Sequence, residues 1–181
     1  TCGDDTKAPW EECDDGNTAD DDGCSSQCKA ELKKVSVGNS HACALRGDGR
    51  IFCWGHNGSG QLGDGGTASS RNYSSRVKGI KTAVDVSASS YSHTCAALAN
   101  GTAKCWGDNG SGRLGDGTNT RRTEPVTVTG LADVTQITVG SNHSCARLSN
   151  GTLKCWGYGS QGQLGNGSTG ERRTPVAVNT L

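Results

Sequence analysis

Apolar and polar residues alternate in short bursts three times along the chain. Val35 and Val37, Val84 and Val86, and Ile137 and Val139 each open a segment with the two-residue period of a half-buried strand. A His-x-Cys strand follows at His41 and Cys43, His93 and Cys95, and His143 and Cys145, and after a Gly-containing turn comes Cys-Trp-Gly at 53–55, 105–107 and 155–157. A Gly-rich polar stretch then ends in Leu-Gly at 62–63, 114–115 and 164–165. A short Val-bearing strand closes the unit, clearest at Pro125, Val126 and Val128 and at Pro175, Val176 and Val178. The copies are offset by 52 and 50 residues at the His, at both Cys and at the Trp. Four short strands repeating every ~50 residues predict propeller blades, each needing a neighbour to bury its apolar face. The predicted fold is all-β: three four-stranded propeller-type blades forming an open arc or partial β-propeller, with repeats at about 33–83, 84–134 and 135–181.

Composition separates a second unit from these repeats. Hydrophobic residues make up 31% of the 181, with one Phe, no Met and 28 Gly, which disfavours a helical core and favours turn-dense β structure. No stretch approaches the ~20 apolar residues of a spanning helix. The net charge of zero gives no reason to expect nucleic acid, but it conceals an asymmetry: residues 1–30 hold nine acids against Lys7 and Lys29. Residues 1–32 are almost devoid of aliphatic side chains and contain Cys2, Cys13, Cys24 and Cys28, so they predict a small disulfide-stapled N-terminal module. Four cysteines allow three pairings, and the spacing does not choose among them. Ten cysteines at regular intervals, in a chain that begins at Thr1, predict an extracellular or cell-surface protein.

The repeat cysteines carry a geometric expectation. If Ala99, Asn100 and Gly101 form a three-residue hairpin loop, residues 98 and 102 pair and Cys95 falls opposite Cys105. Opposed positions have Cβ atoms ~4.5–5.5 Å apart, near disulfide reach. Gly47, Asp48 and Gly49 and Ser149, Asn150 and Gly151 repeat the turn, predicting bridges Cys43–Cys53, Cys95–Cys105 and Cys145–Cys155. His41, His93 and His143 share one phase and lie a blade apart, so they are read as satisfying backbone groups inside the blade rather than as metal ligands. Trp54, Trp106 and Trp156 are read as packing between blades rather than as a sugar platform.

The Gly-rich stretches lack a Gly-Lys-Ser/Thr ending and are read as turns, and no nucleophile elbow with an acid and a base occurs, so no catalytic residue is assigned. Asn57, Asn72 and Asn109, with Asn100, Asn142, Asn150 and Asn166, each begin an Asn-x-Ser/Thr acceptor pattern for glycosylation. The acidic run Asp14, Asp15, Asn17, Asp20, Asp21 and Asp22 crowds hard oxygen donors beside Gly16 and Gly23, which suits Ca²⁺, although the bidentate Glu of a full EF-hand is missing.

The repeat phrase, in three in-phase copies over residues 33–181, resembles the repeat of the regulator-of-chromosome-condensation family, including its bacterial tubulin-suppressor-like members. The first copy departs from it at Asn72, Tyr73 and Ser74, where the others read Arg121 to Pro125 and Arg172 to Pro175. The head, at Cys2-Gly3-Asp4, Glu11 to Asn17 and Asp22 to Cys28, resembles a small disulfide repeat of secreted myxobacterial and other bacterial surface proteins. It is distantly similar to the Lin/Notch-type repeats of pappalysins, with Asp5 and Trp10 standing where Gly is common.

The family resemblance implies a seven-bladed ring whose ends bind partner proteins. Three blades leave two open faces. One expectation is therefore a non-enzymatic structural protein that self-assembles head to tail into a ring or filament, the acidic head meeting Arg121, Arg122, Arg172 and Arg173 of the next copy beside Val176 and Val178. The alternative is a propeller fragment that binds another extracellular protein or a glycan.

Overall fold

The computed structural model describes residues 31–66 and 68–179, together with 3, 4, 6, 8, 9, 11, 14 and 24–29. The first sheet holds β1 (Leu32–Val37), β2 (His41–Arg46), β3 (Ile51–His56) and β4 (Ser70–Arg76). The second holds β5 (Ala83–Ala88), β6 (His93–Leu98), β7 (Ala103–Gly107) and β8 (Arg122–Thr127), and the third β9 (Val134–Val139), β10 (His143–Leu148), β11 (Leu153–Gly157) and β12 (Arg172–Ala177). Each sheet is an antiparallel meander in sequence order, so the three are propeller blades forming an open arc. The variant segment of the first blade keeps its place as β4, with Arg71 opposite Gly55 and Ser75 opposite Cys53, and a register shift absorbs the residues between.

Alternation along the strands gives each blade two unlike faces, here termed trailing (toward the next blade) and leading (toward the preceding one). The trailing face of the first blade supplies Cys43, Leu45, Ile51 and Cys53. The leading face of the second supplies Val86, Ala88, Ala96, Leu98 and Trp106, and together they form one buried cluster. The same pairing recurs one blade on, with Cys95, Ala97, Ala103 and Cys105 against Ile137, Ala146, Leu148 and Trp156. The core is thus a pair of slabs between blades.

Two glycines of the repeat phrase are explained by close approach. After each Trp, Gly55, Gly107 and Gly157 have φ of 102–104°, and a Cβ there would meet the carbonyl oxygens of Ser40, Ser92 and Asn142 at 2.5, 2.3 and 2.7 Å. The Leu-Gly glycines make room for the following blade. A Cβ on Gly63 would lie 2.6 Å from Trp106 Nε1, and one on Gly115 2.7 Å from Trp156 Nε1.

The first strand of each blade corrects the sequence-based alignment. Val35 opposes Ala44, Val86 opposes Ala96 and Ile137 opposes Ala146, so Val86 rather than Val84 is the counterpart of Val35. The cause is the loop before the His, which spans residues 38–40 and 140–142 in the outer blades but 89–92 in the middle one.

Candidate functional site

In each blade Cys43 pairs with Cys53, Cys95 with Cys105 and Cys145 with Cys155 as direct cross-strand neighbours, and each pair is a disulfide with Cα atoms 4.1 Å apart. They lie on trailing faces, so the first two are sealed inside the inter-blade slabs. Cys24 and Cys28 are disulfide-bonded and buried, while Cys2 and Cys13 lie outside the described residues.

The histidines play a role other than the one read from the sequence. His41 Nε2 lies 2.9 Å from Thr94 Oγ1 and His93 Nε2 3.0 Å from Ser144 Oγ, so their partners are hydroxyls of the next blade, not backbone of their own. Thr94 donates to the Gln61 carbonyl at 2.9 Å, and Trp106 Nε1 donates to that same oxygen at 2.9 Å. Ser144 and Trp156 repeat this on the Arg113 carbonyl, both at 2.9 Å. Because each hydroxyl gives its one proton to a carbonyl, it must accept from the imidazole, which puts a proton on Nε2 of both rings and leaves Nδ1 buried and unpartnered. Burial pushes His41 down to about 4, with His56 adding a smaller repulsion. Burial likewise holds His93 well below the ordinary range, with smaller contributions from Arg113, His41 and His143. His–hydroxyl–carbonyl–Trp is an inter-blade latch.

Near the arc's axis Asp85 ties all three blades together. It accepts from Lys34 Nζ at 2.6 Å, from the Val86 amide at 2.9 Å and from the Ile137 amide at 3.0 Å. Ser36 and Ser87 flank it by accepting from the amides of Ala88 and Val139. The side chains that do this, Asp85, Lys34, Ser36 and Ser87, were not singled out by sequence reasoning.

The loops preceding each His and the Gly-rich loops gather at one end, joined by bonds from the amides of His56, Asp108 and Tyr158 to the carbonyls of Ser40, Ser92 and Asn142. The Gly-rich loops are shaped by Asn57 and Asn109, whose side chains accept from the amides of Leu62 and Leu114 and donate to Asp64 and Asp116. Both asparagines are buried and bonded within their loops, whereas Asn72 is exposed on β4. Burial works against ionisation of Asp64 and Asp116, yet both are held below the ordinary carboxylate range. The Gly66 amide, Ser75 and Arg71 do this for Asp64, and Thr118, Arg122 and Asn109 for Asp116.

On this end the middle blade's loop carries its extra residue, and Tyr91 stands 56% exposed. The Arg113 guanidinium, 5% exposed, lies 5.4 Å from the centre of its ring, pairs with Asp108 at 2.9 Å and reaches the Ser141 carbonyl at 3.5 Å. Ser90 and Ser141 share a 2.8 Å hydrogen bond between blades. Aligning the repeats shows Arg113 where the others have Gln61 and Gln163, a signal available in the sequence but not used.

Of the basic residues expected to meet a second copy, Arg121, Arg122 and Arg172 have side-chain partners within the chain, while Arg173 is exposed. Arg122 forms two bonds to Asp116, Arg121 donates to the Gly58 carbonyl of the first blade, and Arg172 bonds Ser168. The Arg173 carbonyl accepts from Gly117. Val176 and Val178 are half-buried on and beside β12. Of the acidic run, Asp14 is described, while Asp15, Asn17, Asp20, Asp21 and Asp22 lie outside the described residues. Among the described residues no three His, Cys, Asp or Glu side chains group to hold a metal, and no helix is long and apolar enough to cross a membrane.

Three disulfide-bearing, four-stranded blades latched by His and Trp define a segment of an all-β propeller. The profile described as Regulator of chromosome condensation (RCC1) repeat matches residues 48–97, 100–147 and 150–181, and the chain belongs to that family. A second profile of the same description matches 32–61, 83–113 and 134–163, and a Domain of unknown function (DUF4215) matches 1–29. The chain is 33% identical over 113 residues to the ultraviolet-B receptor UVR8 of Arabidopsis thaliana, covering 60% of this chain and 25% of the receptor. It is 35% identical over 116 residues to the E3 ubiquitin-protein ligase HERC2 of Homo sapiens, covering 61% of this chain and 2% of the ligase. The chain thus spans a quarter or less of the length of these relatives. Among solved structures it resembles human WBSCR16 (TM-score 0.73, 22% identity, 83% of this chain and 38% of that one). It also resembles Prp20p of Saccharomyces cerevisiae, studied for its binding to Gsp1p and histones (TM-score 0.71, 20% identity, 83% and 39%).

Proposed function

We propose that this segment is a non-enzymatic, protein-binding module whose contact surface is the loop end around Tyr91. The observation that carries the reading is Tyr91 itself: a large, exposed aromatic on a one-residue loop extension, held in place by a buried Arg and next to the hydrogen-bonded pair Ser90 and Ser141. A pre-positioned Tyr beside Ser side chains supplies contact area at small entropic cost, as binding loops do. The yeast relative's binding to Gsp1p and histones supports a protein as the partner class. Two of the three repeat Trp are fully buried, which weighs against a glycan platform.

The test is capture of partners by the full chain from its native source, comparing wild type with Tyr91→Ala and with Tyr73→Ala, an equally exposed aromatic on the outer strand. Loss of the same captured protein with Tyr91→Ala alone supports the reading, and identical capture by all three overturns it. An extracellular setting and a hard cation held by the acidic head belong to the same proposal. Calorimetry with Ca²⁺ that gave no heat, alongside an unchanged melting temperature in chelator, would remove the cation.

Head-to-tail self-assembly is the second reading. The open leading face of the first blade favours it, with Val35 47% and Val37 73% exposed.

A further inference from the structure

The three Gly-rich loops differ in how one backbone amide is satisfied. In the first, Gln61 Oε1 accepts from the Ser59 amide at 2.9 Å, and in the third, Gln163 Oε1 accepts from the Gln161 amide at 2.9 Å. The middle loop carries Arg113 at that place, and a guanidinium accepts nothing. The half-buried Ser111 amide is therefore left with no acceptor among the described residues. A partly buried donor in that position costs free energy until water or a ligand meets it.

The arginine that replaces the acceptor is itself short of partners. Its Nη1 is engaged by Asp108 at 2.9 Å and by the Ser141 carbonyl at 3.5 Å. Nε is buried and unpartnered, and no hydrogen bond engages Nη2. Burial pushes the guanidinium below its ordinary value, and Asp108, Tyr91 and Glu171, which pull the other way, do not restore it. Nη2 lies 3.5 Å from where a Cβ on Gly110 would stand, and Gly110 is exposed with no side chain to cover it. A paired change sits at the start of the loop. His56, which accepts from Gln61 Nε2 at 2.8 Å, is replaced by Asp108. The middle loop thus exchanges a His and Gln pair that serves its own amide for an Asp and Arg pair that leaves two donors open around Gly110.

We propose that the turn from Gly110 to Arg113 is a binding site for an Asp or Glu side chain of the partner protein, whose carboxylate accepts from the Ser111 amide and from Arg113 Nη2. The carboxylate supplies the acceptor that the sibling loops take from Gln, and a charge-assisted bond to the guanidinium adds to it. Tyr91, stacked on the same guanidinium, supplies the surrounding contact area. The inference rests on the loop-end reading and names the group that this surface recognises.

The experiment follows backbone amide shifts of the full chain by nuclear magnetic resonance during titration with acetyl-Ala-Glu-Ala-amide, in which the side chain carries the only charge. The Ser111 amide is expected to move downfield and to saturate, and acetyl-Ala-Gln-Ala-amide to shift it about fivefold less at equal concentration. Arg113→Gln, the residue its sibling loops carry, should abolish the response, because the Gln then takes the Ser111 amide. Far-ultraviolet circular dichroism confirms folding. Should that variant fail to fold, Asp108→His with Arg113→Gln installs the pair that the first blade already holds and is expected to behave the same way. A Ser111 amide that does not respond, that responds equally to the neutral peptide, or that still responds in the folded Arg113→Gln chain overturns the proposal. The two readings fail separately. Partner capture indifferent to Tyr91→Ala removes the loop-end surface, whereas capture lost with Tyr91→Ala but kept with Arg113→Gln removes the carboxylate.

Discussion

Val86 and Val35 occupy the same place in successive blades, yet Val86 is fully buried and Val35 is 47% exposed. Trp106 and Trp54 differ in the same way, the first buried with its Nε1 bonded to the Gln61 carbonyl and the second half-buried. Residue type is therefore not what distinguishes a core position in this chain, because nearly the same side chains are core in one blade and surface in another. What distinguishes them is a neighbour. Stability in such an array is a sum of blade and interface terms, and most of the apolar burial here belongs to the interfaces.

The sharpest way to break that comparison is to delete the same side chain on both sides of it. Trp106→Ala empties a buried site and leaves the Gln61 carbonyl without its indole donor, and is expected to cost about 3–5 kcal/mol. Trp54→Ala removes an aromatic already half in water and should cost about 1–2 kcal/mol. Urea unfolding of the two variants measures the difference, and equal losses would mean that the leading face of the first blade is covered in solution.

The disulfides extend the contrast from packing to accessibility. Each closes a short hairpin, for which loss is expected to cost about 2–4 kcal/mol, but Cys145 on the open trailing face is only half-buried while Cys43 and Cys95 are fully buried. Under mild reductant with alkylation and peptide mapping, Cys145 and Cys155 should be labelled first. Simultaneous labelling of all three pairs would show that the slabs open as readily as the free face.

A third prediction uses the latch. His41 and His93 are held neutral in the fold, so their folded pKa values lie below the ordinary 6.5 and the unfolded chain binds more protons in acid. Stability from this source is complete above about pH 6.5 and is lost as the pH falls toward 4, where His41 itself titrates. His93→Gln, which can donate but does not titrate, should flatten the fall in melting temperature between pH 6.5 and 4. His143→Gln should flatten it less, since that ring is only half-buried.

How far the sequence carried the fold follows from the range of each interaction. The hairpin pairing of Cys95 with Cys105 is local, set by three loop residues, and could be read by counting. The latch was not legible, because its hub is a backbone carbonyl whose residue is Gln61 in one blade and Arg113 in the next, so no residue type marks it. Asp85 hides inside an apparently apolar strand, and its three donors come from three different blades. Tyr91 was missed for a simpler reason. Counting from His93 backwards conceals a one-residue insertion that only the cross-strand register reveals.

The smallest effect is expected at the rim of an interface whose centre gives the largest. Lys78 of the first blade and Glu124 of the second form a 2.6 Å ion pair between blades, but their side chains are 62% and 49% exposed. Water screens such a pair, and ordering two long side chains opposes it, so exposed pairs contribute about 0–1 kcal/mol. Glu124→Gln should therefore shift stability by less than about 0.5 kcal/mol, and the shift should vanish in 0.5 M NaCl as the pair is screened. Beside the loss expected for Trp106→Ala in the same interface, that result would place the cohesion between blades in the buried slab and leave the rim to orientation. A loss above 1 kcal/mol that persists in salt would instead show that the rim holds the blades together.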